Sequence, residues 1–234
     1  MKKIYNISII YTFIMAVGMF VCKHLYNVSY GDEKNIVILF PFLMLLLPFS
    51  VITFNKYKKE IKNPFPKYKL FMILFLPVIF ISIFTIIQKA ELSYSFFITL
   101  IGTLLVGINE ELVYRGIVFS NAVEEKGIMK GMFISAIIFS LLHAVNILAG
   151  LTLLDVIMQL ITTFISGLFF AVSYRYTKNI WLLVVFHGLW DYILFSGIGK
   201  LYSAVNIMMG VLFVVELIIT FVLIRKYKKE LNNI

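Results

Sequence analysis

Apolar residues run along this chain in long blocks, separated by short polar breaks that are mostly basic. Eight blocks stand out, at about 4–22, 36–54, 70–88, 94–120, 130–149, 153–175, 180–197 and 202–224. Most approach or exceed the roughly 18–20 apolar residues needed to cross ~30 Å of hydrocarbon. The pattern predicts an all-α polytopic membrane protein with about eight transmembrane helices. Pro41, Pro48 and Pro77 fall inside blocks two and three. Kinks there are tolerated when neighbouring helices satisfy the freed carbonyls.

Composition closes off the soluble alternative. Hydrophobic residues make up 61% of the chain and charged residues 14%, against about 25% charged in soluble domains. The net charge of +9 raises nucleic acid as a partner, but its placement argues against one. Sixteen Lys and Arg fall in the N-terminus, the alternate loops and the C-terminal tail on one side, four (Lys23, Lys34, Lys89 and Lys200) on the other, and Arg115 inside block four. That asymmetry places both termini in the cytoplasm and makes the lipid bilayer the partner of the basic residues. Cys22 is alone, so no intramolecular disulfide and no cysteine-rich metal site is expected. Met1-Lys2-Lys3 followed by an apolar run has the charge order of a signal peptide, and is read as an uncleaved first helix because further spans follow.

An ionisable side chain at the bilayer centre costs roughly 2.5–3.5 kcal/mol on insertion scales and by default marks a functional site. Blocks four, five and seven hold Glu110, Glu111, Arg115, His143, His187 and Asp191, and block eight adds Glu216. At 1.5 Å per residue, Glu110 lies roughly 15 Å from the inner end of its block, His143 roughly 20 Å into its own, and His187 and Asp191 roughly 10–17 Å. Comparable depths, from the cytoplasmic half to the middle, predict one cavity shared by three helices. Glu111 and Arg115 are four apart and predict an ion pair; His187 and Asp191 have the same spacing. Phe139 lies one turn before His143. Glu110 is turned about 100° from Glu111, which separates their jobs. Glu111 with Arg115 is structural support, while Glu110, with no cation of its own, is the candidate general base for water. His143 shares or relays the proton. His187 and Asp191 bind and polarise a carbonyl and stabilise the oxyanion. Together these roles amount to peptide hydrolysis inside the membrane. Glu216 is expected to be a buried partner of another polar group, and Asn109, Asn146 and Gln159 to hydrogen-bond between helices.

These residues fall into a familiar arrangement. Glu110-Glu111-Leu112-Val113-Tyr114-Arg115 resembles the E-E-x-x-x-R motif of the CPBP family, the CAAX proteases and bacteriocin-processing enzymes also called Abi. Phe139-Ser140-Leu141-Leu142-His143 resembles its F-x-x-x-H motif, and His187-Gly188-Leu189-Trp190-Asp191 its H-x-x-x-N/D motif. Asp191 stands where eukaryotic CAAX enzymes carry Asn. The resemblance implies a protease core over residues 70–224, preceded by two accessory helices and a basic loop in 1–69 and followed by a basic tail, 225–234. It implies an intramembrane endopeptidase whose cavity opens to the cytoplasm, with Glu110 and His143 activating water and His187 and Asp191 holding the scissile carbonyl. Its substrate is a membrane-associated peptide or protein precursor. A metal-free, glutamate-dependent mechanism is favoured, because H-E-x-x-H is absent; zinc held by Glu110, His143 and His187 is the alternative. A non-proteolytic immunity factor or scaffold is the competing function, whereas a transporter is disfavoured by the absence of an inverted repeat. The Lys-, Asn- and Ile-rich composition fits a bacterial chain.

Overall fold

The computed structural model describes residues 1–61, 66–91 and 93–232. Among them no strand occurs, and helices account for nearly all of the chain. Lys62, part of the predicted basic loop, and the last two residues of the tail lie outside the described residues.

Eight principal helices follow the apolar blocks. They are α1 (Lys2–His24), α2 (Asn35–Tyr57), α3 (Lys69–Lys89), α4 (Tyr94–Lys126), α5 (Ile128–Ala149), α6 (Leu153–Thr177), α7 (Ile180–Phe195) and α8 (Ser203–Asn232). All but α7 are long and apolar enough to cross a membrane. The 16 residues of α7 span roughly 24 Å, short of the hydrocarbon thickness, and a turn at Ile198–Leu201 prolongs the chain before α8. α8 runs on to Asn232, so the basic stretch expected as a tail continues the last helix.

Local chemistry explains where several helices start. Ser93 caps α4 by accepting from the Phe96 amide. Thr152 and Asp155 form a reciprocal capping box at α6, and the Asn179 side chain accepts from the Trp181 and Leu182 amides at α7. Each satisfies backbone donors that a helix start leaves free. This matters most at α7, whose first turn sets the height of His187.

Two buried apolar clusters fill the bundle, one drawn mainly from α3, α6, α7 and α8, the other mainly from α1, α2, α4 and α5. They meet where α4 crosses α7 at backbone contact. A Cβ at Gly107 would stand 2.5 Å from the Val184 carbonyl oxygen, and one at Gly188 would stand 2.9 Å from the Leu104 Cα. Small residues let membrane helices approach this closely. Gly107→Ala is therefore expected to destabilise the fold by about 1–3 kcal/mol, the usual cost of overpacking. In detergent its thermal midpoint should fall clearly below that of Gly210→Ala, where nothing lies within 4 Å of the added carbon. Equal midpoints would refute the close crossing.

The two ends of the bundle are sorted by charge. At one end the N-terminal amine meets Glu125 at 2.7 Å, Lys59 meets Glu124 at 3.2 Å and Lys178 meets Glu60 at 3.8 Å. At the other, Glu33 binds Lys89 and Lys200, each at 3.2 Å. Burial works against the ionised form of Glu33, yet Lys200 and Lys89 hold its carboxyl below its ordinary range. The basic loops thus gather at one end, as their alternation along the chain predicts.

Candidate active site

Glu110 and Glu111 sit halfway along α4, where its hydrogen-bonding pattern changes. Tyr94–Glu110 is α-helical, Glu111–Phe119 is π-helical, and α-helix resumes at Ser120. π segments are rare and concentrate at functional sites. This one is buried along its whole length, and it turns Glu111 and Arg115 inward as a pair, Arg115 Nη1 donating to Glu111 Oε1 at 3.0 Å with both side chains fully buried. The guanidinium lies between two rings, 4.0 Å from the centroid of Phe139 and 4.6 Å from that of Phe170. Charge pairing and ring stacking together hold a cation at a depth where lipid would not.

His187 joins the two glutamates. Its Nδ1 lies 2.8 Å from Glu111 Oε1. The carboxylate can only accept, so Nδ1 carries the proton. The opposite ring nitrogen, Nε2, faces Glu110 Oε2 at 3.8 Å and Asp191 Oδ2 at 3.6 Å. One imidazole therefore stands among three carboxyls. Phe139, Phe170 and the ring of His187 pack at centroid separations of 5.0–6.4 Å, which shields the group from lipid.

His143 closes α5, at the point where its α-helix tightens into a 3-10 turn over His143–Ala149. Its Nδ1 is 3.1 Å from the Phe139 carbonyl oxygen, so this nitrogen donates and Nε2 is left as an acceptor. Phe139 packs edge-on against it at 5.1 Å. Two adjoining cavities, of about 60 and 270 Å³, share Tyr30, His143, His187 and Asp191 in their walls. Glu110 faces the smaller, with its Oε2 buried and without a hydrogen-bond partner among the described residues.

Residues 92–193 match the family model described as Type II CAAX prenyl endopeptidase Rce1-like. That segment is similar to the Rce1-like endopeptidases. No curated protein and no solved structure matches the chain. The Rce1-like segment contains all three motifs and agrees with the CPBP resemblance; it leaves out α1, α2, α3 and α8. This similarity, which spans less than half of the chain, suggests a protease of the CAAX endopeptidase kind, and seven helices among the described residues are long and apolar enough to cross a membrane.

Every site residue named from sequence lies at or beside this cluster, but three features differ from expectation. Glu110 was read as lacking a cation, whereas His187 stands within ion-pair distance of it and of Glu111. The cavity was expected to open toward the basic loops. Its walls instead belong to the other half of the bundle: Tyr30 and Asn35 at the α1–α2 connection, Asn146 beyond the end of the α5 α-helix, and Phe195 at the end of α7. His143 lies 6 residues before the end of α5 at Ala149, which puts it in that half too. Finally, the first two helices do more than flank the core, since Met15, Met19, Ile36 and Leu39 line the smaller cavity. Tyr11 of α1 also packs edge-on against Tyr114 at 5.8 Å.

Sequence reasoning missed Phe170 and the π segment. Phe170 follows no motif; its one signal is a place on the same face of α6 as Ser166 and Thr163. The interhelical amides sit as their type suggests: Asn109 donates to the Leu43 carbonyl and Asn146 to the Gln159 side chain. As for zinc, among the described residues no group of three or more His, Cys, Asp or Glu side chains is arranged to hold a metal ion. His187 Nδ1 is engaged by Glu111 and His143 Nδ1 by backbone, which leaves the Nε2 atom of each ring as the one turned to other partners.

Proposed function

We propose that the protein hydrolyses a peptide bond of a membrane-associated peptide or protein precursor, with Glu110 as general base and without a metal. The observation that carries this reading is the buried Glu110 Oε2, without a hydrogen-bond partner among the described residues, on a cavity it shares with His143, His187 and Asp191. Glu110 takes a proton from water as the water oxygen attacks the scissile carbonyl carbon. The carbonyl oxygen becomes an oxyanion. His187, oriented by its Nδ1–H bond to Glu111, offers Nε2–H to that oxygen in its imidazolium form. Asp191 and Glu111 stabilise the imidazolium. The C–N bond then breaks, and the proton held by Glu110, or passed to His143 Nε2, goes to the departing amine.

The partition of basic residues supports cytoplasmic termini, and in that orientation the cavity lies in the outer half of the membrane. The residues proposed as the protease core are 70–224, with α1 and α2 supplying one wall.

The test is direct. Purified protein in proteoliposomes is given membrane-inserted precursor peptides in H₂¹⁸O, and fragments are weighed by mass spectrometry. Hydrolysis places one ¹⁸O in each new carboxyl terminus. If no precursor is cut while the cellular phenotype of the protein persists, a scaffold or immunity role replaces this reading.

A further inference from the structure

Glu216 lies on α8, beyond the Rce1-like segment, and the proposed hydrolysis does not use it. It is 2% exposed, and its Oε1 is buried without a hydrogen-bond partner among the described residues. The carboxyl borders the cavity of about 270 Å³ between α6, α7 and α8, whose wall also carries His143, His187 and Asp191. Across from it α6 presents Gln159, Thr163 and Ser166, spaced four and three apart on one helical face. Ser166 lines the same cavity, and the cations that act on the carboxyl are His187 and Arg115. Both are already engaged by Glu111. A carboxyl at this depth with an oxygen left without a hydrogen bond is costly, and the polar side chains of α6 line the same cleft.

We infer that this cleft is a substrate subsite for a cationic side chain, lysine or arginine, close to the scissile bond, with Glu216 as its counter-ion. The inference rests on the endopeptidase reading. The basic side chain lays its methylene stem along Trp190 and Phe213, which border the same cavity, and brings its charged head to the Glu216 carboxyl and the α6 hydroxyls. Because the histidines and Asp191 share the wall, the residue bound here adjoins the bond being cut.

The experiment uses full-length protein in proteoliposomes and a cleavable membrane peptide in which one lysine is moved stepwise around the mapped cleavage bond, each with a norleucine counterpart. At one position wild-type protein should prefer lysine over norleucine by at least about tenfold in kcat/KM, since a site built for a polar group rejects the analogue lacking it. In Glu216→Gln the ratio should fall to near one, and in Glu216→Lys a glutamate peptide should become the preferred substrate. A flat wild-type profile, or a lysine preference kept in Glu216→Gln, overturns the subsite. Failure of wild-type protein to cut any peptide overturns the endopeptidase reading instead. The subsite is then judged by photo-cross-linking of the lysine peptide, which must label α6 or α8 in wild-type protein and lose that label in Glu216→Gln; equal labelling overturns it.

Discussion

Glu110→Gln is expected to leave a folded, membrane-inserted protein that cleaves its substrate about 10²–10⁴ times more slowly, the usual worth of a positioned general base. The substitution keeps the shape of the side chain and removes its basicity. Glu110 Oε2 makes no hydrogen bond among the described residues, so the fold has little to lose. The amide retains polar contact with His187, and KM should change far less than kcat. His143→Ala should cost less, because His143 faces the same cavity but its Nδ1 is spent on the Phe139 carbonyl. Single-turnover cleavage in proteoliposomes checks both, with the thermal midpoint as the control for folding. Retention of full activity by Glu110→Gln would move the base elsewhere, and His143 Nε2 is the group that would inherit the role.

The ranking of these two residues shows what a sequence can and cannot carry. Hydropathy located the helices to within a few residues because lipid imposes a length requirement on every span. Block seven, drawn over 180–197, is the helix Ile180–Phe195. The ionisable residues were visible for the same reason, since each stands out against an apolar background. Direction around the helix axis was harder to read. Helices here are apolar on both their lipid-facing and core-facing sides, so the period that marks a buried stripe in a soluble helix is blunted. Phe170 and Tyr11 were therefore not distinguished from the many lipid-exposed aromatics such as Phe13 and Phe80. The π segment of α4 left no trace in hydropathy, although it sets the mutual orientation of Glu111 and Arg115. The side on which the cavity lies was misjudged because depth was counted from helix ends while the connections that wall it were left out. Tyr30 comes from such a connection, and Asn35 opens the helix that follows it.

Arg115→Ala is expected to be the most damaging single change to the fold. Breaking a buried ion pair by removing one partner costs about 3–5 kcal/mol, because the other charge stays behind uncompensated. Here that charge is Glu111, fully buried, with His187 as its remaining cation. Arg115 also fills the space between the Phe139 and Phe170 rings, so its truncation opens a cavity beside the site. Folded yield in detergent should fall sharply and the thermal midpoint with it. The double variant Glu111→Gln with Arg115→Met separates charge from packing. It removes both charges at similar volume, and replacement of a buried pair by an uncharged one of matched size is often neutral or stabilising. Its midpoint should recover most of the loss. Activity should not recover, because the Glu111 carboxylate is also what holds His187 with Nδ1 protonated and Nε2 turned toward Glu110 and Asp191. A wild-type midpoint in Arg115→Ala would show the pair to be dispensable for folding. Restored cleavage in the double variant would show that His187 finds its orientation without Glu111, and the division between a supporting and a reacting glutamate would then be lost.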